Sequence, residues 1–150
     1  MARNVTVDDE QLVFTPFWKP SSECDGCSAA PTAAQMAFVH DGTWHDGARQ
    51  ADGSPGVMTM SYTFTGTAVY VYGITINGTS ARPAIKNVDL TFTLNNAHAG
   101  DFTYAPDATV TDYHFNVLFF SKTGLPNAQY TLQMSLNPHS FALLDYVQYT

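Results

Sequence analysis

The feature that most constrains this chain is an alternation of period two that recurs from Val57 to the C-terminal end, with helical periodicity almost missing. Over 57–64, Met58, Met60, Tyr62 and Phe64 fall on one side of an extended chain, with Thr59, Ser61 and Thr63 on the other. Val88, Leu90, Phe92 and Leu94 alternate with Asp89, Thr91 and Thr93, and Tyr130, Leu132, Met134 and Leu136 alternate with Thr131, Gln133 and Ser135. Stretch 68–72 is apolar on both sides, as a strand covered on both faces is, and 115–120 is another apolar run. A last run covers 141–149. Breakers separate the runs: Thr65-Gly66, Asn77-Gly78, Asn95-Asn96, Ala99-Gly100, the stretch 123–127 and Asn137-Pro138.

Short strands set apart by turns predict an all-β protein, a jelly-roll β-sandwich of two antiparallel sheets. At 150 residues the chain fits one domain, 1–150, large enough to bury a core. Strands are expected over 4–7 and 12–14, followed by long loops up to residue 56. Loops of that length in a compact domain are usually functional. Only 33–39 reads as a helical turn.

Charge narrows the partners. Thirteen acidic residues face six basic ones, with no Lys/Arg cluster, which argues against nucleic acid and against an anionic membrane surface. No apolar run approaches the ~18 residues of a membrane-spanning helix, and the N-terminal residues lack the apolar core of a secretory leader. Only 13% of residues are charged, so Thr, Ser, Asn, Tyr and Gly carry the surface polarity. Such a surface suits an extracellular or cell-surface setting and neutral, hydrogen-bonding ligands. The two cysteines, Cys24 and Cys27, lie too close together for a loop-closing staple and have no second pair to complete a zinc site. A local disulfide that shapes the loop is expected, with free thiols as the alternative.

Chemistry concentrates in His40-Asp41-Gly42-Thr43-Trp44-His45-Asp46-Gly47, where one short loop gathers acids, imidazoles and an indole. Trp44 is the type of flat apolar plate on which a pyranose ring stacks, and Asp41, His45 and Asp46 are the type of groups that bind its hydroxyls. The competing reading makes Trp44 a core residue and the Asp-Gly pairs turns. A glycosidase would need Asp41 and Asp46 as acid and base, but five residues apart on one loop they form an unpersuasive pair, and no nucleophile elbow is present. His40, Asp41 and His45 are also metal-ligand types, although imidazoles in such loops more often hydrogen-bond locally. Trp18, Tyr113 and His114 are further aromatic-polar candidates for a loop-end binding site, or for packing at its rim. Asp145 interrupts a row in which Phe141, Leu143, Val147 and Tyr149 are expected to share its face. Pairing of the first and last strands would bring it to Asp8 and Asp9, where Ca²⁺ or backbone capping would have to offset the repulsion. Asn4-Val5-Thr6 and Asn77-Gly78-Thr79 match the N-glycan acceptor pattern, Asn77 being the expected site.

Asn4–Asp9, Phe17-Trp18, Cys24-Asp25-Gly26-Cys27, Asp41–Asp46, the stretch 64–72, the stretch 90–94 and Leu143-Leu144-Asp145-Tyr146 together resemble an extracellular domain common in mushroom-forming fungi, itself similar to the galactose-binding-like jelly roll. The resemblance spans nearly the whole chain. Members are often attached to a membrane helix, which this sequence lacks, so a stand-alone form is expected. They often carry Cys where this chain has Gly73, so any disulfide used there is absent. The resemblance implies the fold more than a function; the residues of the 40–47 loop point to a non-catalytic, lectin-like role, with galactose-type sugars first by analogy of fold and a structural or cell-surface interaction module without a sugar ligand as the alternative. Glycans or glycoproteins are the expected partners, and self-association would supply avidity.

Overall fold

A computed structural model describes residues 2–24, 29–78 and 83–150. The alternating runs become strands. One sheet contains β1 (Val5–Asp8), β3 (Lys19–Pro20), β4 (His45–Arg49), β6 (Val69–Ile76), β9 (Tyr113–Lys122) and β11 (Ser140–Tyr149). Its order is β3-β4-β11-β6-β9, with β1 also paired to β11. The other is β2-β5-β10-β7-β8, built from β2 (Val13–Phe14), β5 (Thr59–Gly66), β7 (Val88–Leu94), β8 (Ala97–Tyr104) and β10 (Ala128–Leu136). Every pairing is antiparallel. The protein is therefore an all-β sandwich, as its periodicity predicts. One helical turn, α1 (Ala33–Met36), is capped by Thr32, whose hydroxyl accepts the Gln35 N–H.

The apolar side of each alternating strand meets its counterpart from the facing sheet. Met58, Met60, Leu90, Phe92, Leu132 and Met134 from one sheet pack with Val69, Val71, Leu144 and Val147 from the other, and all are buried. A second cluster covers the outer face of the six-stranded sheet, where Ile74, Ile76, Phe141 and Leu143 lie beneath Val39, Trp44 and Ile85 from the long loops. The loops of the N-terminal third thus carry a core of their own.

Asn95-Asn96 separates two runs as its residues predict, a two-residue turn with both φ angles positive, 50° and 65°, that joins β7 to β8. Two expectations are corrected. Gly100, expected to break the chain, lies within β8 because the Phe120 ring approaches its Cα. In β11 the register shifts between Leu144 and Tyr146, so the row proposed around Asp145 is split. Phe141 and Leu143 face the outer cluster, while Val147 and Tyr149 join the inner core. A bulge of this kind re-aims the chain and lets Asp145 enter the N-terminal acids rather than an apolar row.

Candidate functional site

β1 runs antiparallel to β11 with Asp8 opposite Tyr146, so the first and last strands bring Asp8, Asp9 and Asp145 into one neighbourhood. Asp9 and Asp145 are wholly buried. Residues 40–45 close over them. The Thr43 hydroxyl donates to Asp9 Oδ1 at 2.6 Å, and His45 Nδ1 lies 2.6 Å from Asp9 Oδ2. The His40 backbone N–H donates to Asp145 at 3.0 and 3.3 Å. Asp8 is served less well: Thr43 Oγ1, whose single proton goes to Asp9, is 3.2 Å from Asp8 Oδ2, and Asp8 Oδ1 is buried with no hydrogen bond, His40 Nε2 lying 4.0 Å away. Burial, opposed by the His40 N–H and reinforced by the charges of Asp9, Asp8 and Asp41, pushes the Asp145 carboxyl up to about 7. Burial and the Asp9 charge also raise Asp8. Oxygens of Asp8 and Asp41 and a nitrogen of His40 lie within 4.8 Å of one another, as cation ligands must.

The same loop forms one wall of an open cleft of about 350 Å³ lined by Phe38, His40, Asp41, Asn116 and Tyr146. Asp41 has φ 47° and projects into solvent, its side chain 73% exposed and 3.5 Å from His40 Nε2. Asn116 is the extra residue of a bulge in β9, with φ 54°, and its Oδ1 accepts the Tyr146 hydroxyl at 3.3 Å. The Tyr146 ring stacks on Tyr72 with centroids 4.6 Å apart and lies 5.1 Å from the His40 ring. Phe38, 58% exposed, stacks on Phe115. The cleft therefore offers aromatic edges beside a carboxylate, an amide, an imidazole and a phenol, the group types that hold a polyhydroxylated ring.

Of the residues singled out from sequence, His40 and Asp41 line this cleft, whereas Trp18, Trp44, His45, Asp46, Tyr113 and His114 do not. Trp44 was expected to present its indole to a ligand; instead it is 7% exposed, packed in the outer cluster with Val39, Ile74 and Phe141. Trp18 is 8% exposed and lies across Gly47, where any Cβ would come within 2.7 Å of the ring. Neither indole is available as a platform, because large aromatics are worth most in the core. Trp44→Ala should therefore cost about 3 kcal/mol or more. Thermal melting followed by circular dichroism would show it as a large drop in midpoint, and an unshifted midpoint would contradict the packing.

His45 is committed to Asp9 and stacks on Phe14, with centroids 3.9 Å apart. Asp46 lies in β4 opposite Lys19 and Leu143, its carboxyl pushed to about 6 by burial against the opposing pull of Lys19. Tyr113 accepts the Ala30 N–H and lines a separate cleft with Asn77 and Asp112, and His114 pairs with Asp112 at 3.2 Å. Cys24 is disulfide-bonded, while Cys27 lies outside the described residues. Asn77 is corrected as a glycan acceptor. It is 1% exposed, its amide donating to Asp112 and accepting from Tyr104 and the Asp107 N–H. Asn4 is exposed.

Phe38, His40, Asn116 and Tyr146 were not assigned to a sugar site from sequence. Asn116 had a signal, an amide interrupting an otherwise apolar run, but the bulge that turns it outward had none.

No protein-family model matches the sequence, and no curated protein is similar to it at significance. The fold does have solved neighbours. A family 35 carbohydrate binding module from Clostridium thermocellum superposes with a TM-score of 0.57 at 10% identity, over 98% of this chain and 97% of the module. A GH26-CBM35 beta-(1,4)-mannanase from Podospora anserina gives 0.51 at 14% identity, over 97% of this chain and 27% of the enzyme. An exo-beta-1,3-galactanase from Phanerochaete chrysosporium, solved with beta-1,3-galactotriose, gives 0.51 at 14% identity over 97% and 29%. The chain thus spans nearly all of the isolated module but under a third of either enzyme. At these identities the likeness establishes the fold alone, a jelly-roll sandwich.

Proposed function

We propose that this chain is a non-catalytic carbohydrate-binding protein, a lectin, that takes a saccharide in the cleft between residues 38–41 and the Asn116–Tyr146 pair. The observation that carries the reading is the cleft itself: Asp41, His40, Asn116 and the Tyr146 hydroxyl gather beside the Tyr146 and Phe38 rings. The shared jelly-roll architecture adds support. A non-catalytic role is favoured because the two acids a glycosidase would need are differently placed, Asp41 at the cleft and Asp46 against Lys19 in β4. Galactose-type sugars are the first to test. Glycans on an extracellular or cell-surface target are the proposed partners; among the described residues no helix is long and apolar enough to cross a membrane.

Calcium is the proposed structural cofactor. Asp8, Asp9 and Asp145 carry the hard oxygens that Ca²⁺ prefers, and Asp8 Oδ1, which makes no hydrogen bond and has His40 Nε2 only at 4.0 Å, is the oxygen most open to a cation. When bound, the ion would neutralise the mutual repulsion of these acids. Single sites of this kind bind weakly, so self-association is part of the proposal, with exposed Val13, Phe17 and Val57 as the apolar surface for it.

The test is a glycan array followed by titration calorimetry on the strongest saccharide. Asp41→Ala and Asn116→Gly, the latter chosen because glycine tolerates the positive φ, should each weaken binding about tenfold, the worth of a lost charged or well-placed hydrogen bond. Melting should stay near the parent value, since both side chains are exposed. Binding undiminished in both variants would remove this cleft from consideration.

A further inference from the structure

We propose that the cleft selects saccharides carrying a protonated amine, hexosamines with a free ammonium, over neutral and anionic ones; this rests on the carbohydrate reading and adds the class of sugar. Charge around the cleft is one-signed. Asp41 stands exposed in it, and neither Lys nor Arg is among the residues that line it. Behind the wall, Asp8 Oδ1 lies 4.0 Å from His40 Nε2, and Asp145 is held against the His40 N–H. His40 is thus the one lining group able to carry positive charge, and it already has Asp41 at 3.5 Å and Asp8 behind it. A carboxylate standing in a concavity that no Lys or Arg lines gives it a negative potential.

An amine beside the exposed Asp41 carboxylate would meet a counter-charge and a hydrogen-bond acceptor together. An N-acetyl group at the same position keeps the sugar's shape and hydroxyls but loses the charge. A uronate would bring its carboxylate against Asp41 with no free cation to receive it. Selectivity of this kind comes as much from repelling the wrong sugar as from holding the right one.

The experiment titrates the protein with a glucosamine trisaccharide, its fully N-acetylated counterpart and a galacturonic acid trisaccharide, at a pH where the amine is protonated. The amine form should bind about tenfold tighter than the N-acetylated form, with the uronate weakest. In Asp41→Asn, which keeps an acceptor oxygen but not the charge, the ratio of amine to N-acetyl affinity should fall toward one, and high salt should shrink it likewise. If the N-acetylated or uronate form binds as tightly as the amine, the selectivity is overturned while the carbohydrate reading stands. If no saccharide binds, both fall. A ratio that persists in Asp41→Asn would place the discrimination elsewhere and overturn the role assigned to this cleft.

Discussion

The melting temperature of this protein should fall as pH rises from about 4 to about 8 in the absence of divalent cations, and Asp145→Asn should remove most of that fall. Burial pushes the Asp145 carboxyl from 3.8 to about 7, so the folded protein keeps a proton that the unfolded chain releases above 3.8. A raised acid pKa stabilises the fold fully only below the unfolded value, and the contribution is lost as pH climbs through the folded one. The displacement corresponds to a loss on the order of 4 kcal/mol between those limits. Asp46, pushed to about 6, and Asp8, also raised, act in the same direction. Asp52 and Asp107 are held low by hydrogen bonds from Ser54 and Thr109, so their contributions disappear only at more acidic pH, outside this window. In Asp145→Asn the amide oxygen can still accept the His40 N–H, while the charge opposed by Asp9, Asp8 and Asp41 is gone. The variant should melt above the parent at pH 8 and near it at pH 4.

The same measurement examines the cation. If Ca²⁺ occupies the acids, adding it at pH 8 should raise the melting temperature and EDTA should reverse the gain, with Asp8→Asn insensitive to both. Binding to the folded state alone stabilises by mass action, so the gain should grow with Ca²⁺ concentration. A flat response to Ca²⁺ would end the calcium proposal and leave the pH trend intact, because that trend needs only the buried acids.

What could be read from sequence follows from how each feature is encoded. Strands with one buried face leave a period-two record, so β5, β7 and β10 were legible, and pairing of β1 with β11 followed from a jelly roll's habit of joining its ends. β8 left no such record: its sequence, Ala97–Tyr104, carries a glycine where Phe120 packs close and shows little alternation. The site was harder still. Trp44 and His45 have the residue types of a sugar site, yet one fills the outer cluster and the other holds Asp9. Composition reports what a side chain can do, whereas burial decides whether it is free to do it. Asn116 and Asp41 reach the cleft through positive-φ turns, and neither residue is a glycine that would have announced the bend. Tyr146 faces outward because the bulge beside Asp145 shifts the phase of β11, an event that simple alternation cannot anticipate.

Gly73→Ala should be among the most damaging single-methyl additions this chain can receive. A Cβ at position 73 would lie 2.1 Å from Phe119 Cε2, 2.4 Å from its Cζ and 2.5 Å from the Leu143 carbonyl oxygen. Phe119 is itself buried and packs against Phe102, with centroids 4.9 Å apart, so the ring has little room to retreat. The Leu143 oxygen belongs to the backbone of β11 where it runs beside β6, and cannot move without opening that pairing. Overpacking usually costs 1–3 kcal/mol; with a ring and a backbone atom both in the way, about 3 kcal/mol or more is expected, on the order of a 10 °C fall in melting temperature for a chain of this size. Gly73→Ala combined with Phe119→Leu should recover only the part owed to the ring, the shortfall measuring the backbone collision. Gly124→Ala serves as the contrast: nothing lies within 4 Å, so its φ of 69° should cost only about 1 kcal/mol. A Gly73→Ala variant that melts with the parent would show that the Phe119 ring and the β11 carbonyl yield to the added methyl.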